Sequence, residues 1–239
     1  MKDFFASSRY ALHALAFLLV SVCPLLLPGC TGGDDPFIAI SAAIPDAVLD
    51  IRYAGEENFL GTPARGYERP ECLLTAEAAN ALGDAAAALS DAEPDDPGHG
   101  LSLHIFDCFR PQRAVDHFVE WAGDDTDTLR KADYYTFVPK DSLFAHGYIA
   151  ERSGHSRGST IDLTLSRDGV VLDMGTPFDY FDPSSATADT SISAEAQANR
   201  SLLLSLMEEA GFRNYSAEWW HYTLIDEPYP DTYFDVPVR

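Results

Sequence analysis

At Thr160-Ile161-Asp162-Leu163 an aspartate enters an apolar strand, where a carboxylate is costly unless a partner meets it. Upstream stands His155, within Ser153-Gly154-His155-Ser156-Arg157-Gly158, and the two glycines allow this loop to fold back on itself. A metal ion would be a fitting partner, since coordination stabilises the carboxylate and His155 could approach the same ion. A second group of candidate residues is Glu218-Trp219-Trp220-His221-Tyr222. Residues three apart on a regular strand point to opposite faces, so Glu218 and His221 can share a site only if the chain turns between them. A turn or bulge is therefore expected there. Two histidines, one aspartate and a position left for water form the pattern of catalytic rather than structural zinc, and Glu218, off the metal, would take the proton of that water. The other histidines compete less well: His13 falls in the N-terminal apolar stretch, His99 in an acidic loop and His117 on a helix beside Asp116, while His104 and His146 remain weaker alternatives.

Lys2 and Arg9 precede an apolar stretch from Ala11 to Leu27, the layout of a signal peptide. Leu27-Pro28-Gly29-Cys30 is similar to the bacterial lipobox, cleaved just before a cysteine that becomes lipid-modified, although proline is a less usual occupant. Ordinary signal cleavage or an uncleaved anchor are the alternatives. All three place the remaining chain outside the cytoplasm. The expected organisation is a signal peptide over 1–29, a lipid-attached Cys30 with a flexible tether to 42, and one domain over 43–239 exposed on the periplasmic or extracytoplasmic side. Beyond Cys30 the cysteines are Cys72 and Cys108, an even pair in an oxidising compartment and so an expected disulfide; two buried free thiols are the alternative. A formal net charge of −22 argues against attraction to nucleic acid or anionic lipid headgroups. The acidic clusters at 91–96 and 124–127 read as solvated surface, without the ligand spacing of a calcium loop.

Val48 to Tyr53 reads as a weak strand, followed by a long loop with Gly61, Pro63, Gly66 and Pro70. Thr75 can cap an Ala- and Leu-rich helix to about Leu89, and Leu101, Leu103 and Ile105 alternate as a half-buried strand. Pro111 opens the next helix, leaving Arg110 at a strand-to-helix junction. Residues 161–165 and 170–172 form a hairpin around Asp168-Gly169, Ser193 caps a helix ending at Gly211, and 219–225 is the last strand. The sum is an α+β fold: a single domain with a small central antiparallel sheet flanked by helices.

The two metal-site segments, Ser153-Gly154-His155-Ser156-Arg157-Gly158 with Asp162 and Glu218-Trp219-Trp220-His221, resemble those of the D-alanyl-D-alanine dipeptidases, the vancomycin-resistance-type branch of the zinc DD-peptidases. The resemblance extends in order through Asp50-Ile51-Arg52-Tyr53, Cys72-Leu73-Leu74, Asp107-Cys108-Phe109-Arg110-Pro111, Met174-Gly175-Thr176-Pro177-Phe178-Asp179 and Asn199-Arg200. It implies a zinc DD-peptidase, hedgehog-like fold, one Zn²⁺ per chain held by His155, Asp162 and His221, and Glu218 as general base. Arg110 matches the arginine that stabilises the developing oxyanion. Ser153 matches a serine that helps hold the substrate, and Asp179 or Asp182 the carboxylate that receives the free amino end. The implied substrate is a small D,D-dipeptide of cell-wall metabolism, with a D,D- or L,D-carboxypeptidase as the nearest rival and a zinc-containing binding module without turnover as the more distant one. Gly154 and the pair Ser184-Ser185 depart from the family's usual residues, the second standing where Ser-His is common.

Overall fold

The computed structural model describes residues 36–239, so the signal peptide, Cys30 and the first part of the expected tether lie outside the described residues. The fold begins with β1 (Phe37–Ala39), α1 (Ile40–Ala43), β2 (Val48–Leu49), β3 (Leu73–Thr75), α2 (Ala76–Ser90) and β4 (Ser102–Asp107). It continues with α3 (Gln112–Ala122), α4 (Lys131–Tyr134), β5 (Thr160–Arg167), β6 (Val170–Val171), α5 (Ala194–Glu209), β7 (Phe212–Asn214) and β8 (His221–Leu224). The main sheet runs β2-β4-β5-β8-β7, with β6 paired to β5. Its pairings are antiparallel except β2 with β4, which are parallel. The α+β class holds, as a mixed sheet with helices against it.

Local signals explain most of the elements. Thr75 caps α2 by accepting from the Ala78 amide, and Ser193 caps α5 by accepting from the Ala196 amide. On α2 the buried face is Ala78, Ala79, Leu82, Ala85 and Leu89, where small side chains let the helix lie close to β4 and α5. The hairpin between β5 and β6 turns at Asp168 and Gly169, both at positive φ, as a two-residue primed turn requires. On α5 the buried stripe of Leu203, Leu206 and Met207 is joined by Arg200, which is 1% exposed. Its guanidinium donates to the carbonyls of Met174, Ser184 and Ala186, tying the long loop after β6 to the helix.

Three expectations change. The tether does not reach residue 42, because Phe37–Ala39 pairs with β3 and Ile40 is fully buried; Phe37 also stacks on Phe109 at 4.2 Å between ring centroids. The strand expected over Val48 to Tyr53 stops at Leu49, and Arg52–Ala54 winds into a 3-10 turn that drops the Tyr53 ring into the core. The last strand begins at His221 rather than Trp219, and β7 precedes it, too short for any periodicity to reveal.

Cys72 and Cys108 form the expected disulfide, joining the start of β3 to the end of β4 across 36 residues of sequence. In the chain-entropy account, closing a loop of this length removes about 4 kcal/mol of freedom from the unfolded state. A Cys72→Ala/Cys108→Ala protein should lose stability on that order in denaturant titration, to be compared with the oxidised parent; an unchanged midpoint would show that the bond carries no such constraint.

Candidate metal centre and active site

The site lies at one end of the sheet, where β4 stops and β5 and β8 begin. Asp162 on β5 is directly opposite Asp107 on one side and His221 on the other. His155 arrives from the 3-10 turn Gly154–Arg157 immediately before β5, whose cap is the Ser153 side chain accepting from the His155 amide. Gly158 ends this turn at φ +82°, and a Cβ there would collide with the Phe37 ring. The loop folds back as its glycines suggested.

The expected turn between Glu218 and His221 is present, closed by the His221 amide donating to the Glu218 carbonyl at 3.3 Å. Asn214 on β7 pins it, its side-chain amide donating to the carbonyls of both residues at 3.0 Å. The result places His221 Nδ1 3.1 Å from Asp162 Oδ1, His155 Nε2 3.2 Å from Asp162 Oδ2, and the two ring nitrogens 3.3 Å apart. Ligand atoms of the three residues all lie within 4.8 Å of one another.

These residues fit a cation at their centre. His155 Nδ1 lies 2.6 Å from the Cys108 carbonyl oxygen, so the proton sits on Nδ1 and the Nε2 lone pair faces His221 and Asp162. Two imidazole nitrogens aimed at each other leave one of them without a donor unless a proton or an ion lies between. Asp162 Oδ1 is likewise buried with no hydrogen-bond partner, a cost that coordination would remove. Burial pushes the Asp162 carboxyl up, but the two imidazoles outweigh it and hold the group below the usual carboxylate range. Burial lowers His221, with Asp162 opposing, which keeps its imidazole neutral and able to ligate.

Glu218 stands just off this centre, its Oε2 3.6 Å from His221 Nδ1. Burial, then the charges of Asp162 and Asp179, push its carboxyl well above the ordinary glutamate value, against the pull of Arg110. Arg110 reaches in from the junction between β4 and α3. Its guanidinium holds Asp107 at 2.8 Å and touches Asp162 at 3.4 Å, and its plane lies against the rings of Tyr53 and Phe118 at 4.8 and 5.0 Å. Such a clamp fixes a planar cation in one orientation. Asp107 in turn accepts from Tyr67 at 2.5 Å and lies 3.5 Å from His155 Nδ1.

A cavity of about 280 Å³ opens over the centre, walled by Arg110, Ser153, Asp162, Asp179, Glu218 and His221 among others. Asp179, and not Asp182, lines it. Asp182 is spent locally, capping the 3-10 turn Pro183–Ser185 by accepting from the Ser184 amide and hydroxyl. Asp179 sits at φ 59° and accepts from the Tyr53 hydroxyl at 2.7 Å. Burial, then the Asp162 charge, raise its pKa to about 8. Ser185, one of the departures from the family pattern, is fully buried and donates to the Tyr180 carbonyl, bracing the loop that carries Asp179.

All the residues singled out in the sequence for metal, acid-base or substrate contact thus meet here, except Asp182; His104 and His146 do not join the group of possible ligands. The supporting shell was not foreseen. Asp107, Tyr53 and the Cys108 carbonyl lie within segments that carried the resemblance, whereas Tyr67 lies outside them, and the signal available was only that an arginine out of solvent needs a carboxylate close by.

Comparison with known proteins follows the same lines. The family model described as D-ala-D-ala dipeptidase, of peptidase family M15, matches residues 35–239. A D-alanyl-D-alanine dipeptidase of Enterococcus faecium is 43% identical over 80% of this chain and 92% of its own length. The protein of that description from Enterococcus faecalis is 44% identical over 86% of this chain and 99% of its own, and that from Streptomyces coelicolor 41% identical over 79% and 91%. With the match spanning the whole described domain and every element that builds the cavity, this chain belongs to the D-ala-D-ala dipeptidase family of M15 metallopeptidases.

Proposed function

We propose that this protein hydrolyses D-alanyl-D-alanine, or a closely related D,D-dipeptide, with one zinc ion held by His155, Asp162 and His221. The observation that carries the reading is the convergence of those three ligands with Glu218 and Arg110 around one small cavity. Zinc bound there supplies a Lewis acid that polarises the scissile carbonyl and acidifies a water. Glu218, buried and close to His221, accepts the proton of the attacking water and delivers it to the leaving amine. The Arg110 guanidinium, held against the adjoining rings of Tyr53 and Phe118, faces the negative charge that grows on the carbonyl oxygen and appears in full only in the transition state. Ser153 holds the substrate beside the centre, and Asp179 receives its free ammonium. A cavity of about 280 Å³ is at the small end of ligand pockets, which run from about 300 to 1,000 Å³, a size in keeping with a dipeptide.

We further infer that the chain is exported and lipid-anchored through Cys30, in keeping with its place in cell-wall metabolism. The N-terminal sequence supports this, as does the Cys72–Cys108 disulfide, since such bonds persist in oxidising compartments. A Cys30→Ala chain expressed in a bacterial host should leave the membrane fraction; unchanged fractionation would dismiss the anchor.

In the reaction itself, Glu218→Gln should still bind zinc by metal analysis and yet lose about 10²- to 10⁴-fold in kcat on D-Ala-D-Ala. Arg110→Lys should lower kcat about 10²-fold with a smaller change in KM. Chelation should abolish the parent's activity and zinc restore it; a Glu218→Gln protein at the parental rate would remove the mechanism. N-acetyl-D-Ala-D-Ala, lacking the ammonium, should be rejected, whereas a carboxypeptidase would cleave it.

Asp179 gives a prediction with a definite sign. Its folded pKa of about 8 lies above the ordinary value of 3.8, so the unfolded chain releases this proton at lower pH than the fold does. The resulting destabilisation is absent below pH 4, grows as pH rises toward 8 and is constant above it. Metal-free Asp179→Asn should therefore be more stable than the metal-free parent by an amount that widens over that interval to several kcal/mol, at most about 6. A difference in melting temperature that stays flat with pH would contradict this.

A further inference from the structure

We propose that Arg152 reads the free carboxylate of the substrate, so that the cavity selects a dipeptide zwitterion by both ends: ammonium at Asp179 and carboxylate at Arg152. The inference rests on the dipeptidase reading above and adds to it the group that recognises the second terminus.

Two arginines are among the residues that line the cavity, Arg110 and Arg152, and Arg152 also borders the neighbouring cavity that holds Tyr233. Arg110 is already assigned, since its Nε and one terminal nitrogen meet Asp107 and Asp162 and what remains of the group serves the carbonyl oxygen of the scissile bond. Arg152 is exposed at the rim, and among the described residues no carboxylate lies within ion-pair distance of it. That is a notable omission in a chain with 38 acidic and 16 basic residues. The nearby Arg157 shows the contrast: it is paired with Glu227 through two hydrogen bonds of 2.7 and 2.9 Å. Asp231, which shares a shallower neighbouring cavity with Arg152, also stays outside that distance.

The Arg152 side chain is nonetheless held. Its guanidinium carbon lies 4.7 Å from the centre of the Tyr233 ring, a contact that orients the planar group without consuming its N–H donors. Its backbone is fixed as well, because the next residue, Ser153, caps the turn that presents His155. An oriented guanidinium with unspent donors, one residue from the wall of a site whose other charged groups are mostly acidic, suits a carboxylate that enters with the substrate. Asp162, Asp179 and Glu218 would repel that end of the dipeptide, so Arg152 also sets the direction in which the peptide lies.

The test compares D-Ala-D-Ala with D-Ala-D-alaninamide on the full chain, using the parent, Arg152→Met and Arg152→Lys. The parent should prefer the free acid, and Arg152→Met should lose about ten- to a hundredfold in kcat/KM on the acid, mainly through KM, while changing little on the amide. Arg152→Lys should recover part of the preference. If Arg152→Met keeps the parental ratio of acid to amide, or falls equally on both substrates, the assignment to Arg152 is wrong. If the zinc-loaded parent cleaves neither substrate, the dipeptidase reading itself fails, and this inference with it.

Discussion

The structure depends on one buried carboxylate. Asp162 is 2% exposed, at the middle strand of the sheet where three chain segments come to an end, and a lone charge in that position would be strongly destabilising. Its surroundings are arranged to meet it: imidazoles from a loop and from the neighbouring strand, and a guanidinium from the opposite side. The compensation is incomplete in the protein alone, since one oxygen keeps no hydrogen-bond partner and two ring nitrogens face each other. A divalent cation resolves both defects at once, and the site is in this sense half of a structure whose other half is the ion.

The supporting contacts form a chain from the core to the centre. Tyr67 donates to Asp107, Asp107 holds Arg110, and the backbone carbonyl of Cys108 sets the tautomer of His155. Because Cys108 is bonded to Cys72, the disulfide anchors not only β3 to β4 but also the carbonyl that orients a ligand. The bulge in β4 between Ile105 and Asp107 belongs to the same design, since bulges re-aim side chains at strand ends. It brings Asp107 opposite Asp162, where Arg110 can span both.

The electrostatics of the cavity follow from its walls. Burial and the charge of Asp162 raise the proton affinity of Asp179 and of Glu218, and Arg110 only partly offsets them. Such a pocket attracts cations, whether a metal or an ammonium, and repels carboxylates except where a guanidinium receives them. The acidic exterior of the molecule is a separate matter; no residue of the clusters at 91–96 and 124–127 lines the cavity.

How much of this was legible in the sequence depended on whether the cause was local. The caps at Thr75 and Ser193, the turn at Asp168-Gly169 and the break before His221 follow from short-range rules, and each is found where those rules put it. The ligand residues were legible because a buried aspartate needs a partner and because the two motifs resemble a known pair. What only the tertiary structure decided were the contacts made across long separations: that Phe37 belongs to the fold beneath the ligand loop, that Tyr53 turns inward to hold Asp179, that Asp182 is consumed in a cap, and that Arg152 is left without a carboxylate. A sequence states which groups exist and what each demands; which demand is met by which distant group depends on packing, because the competing partners are chemically alike and only their positions differ.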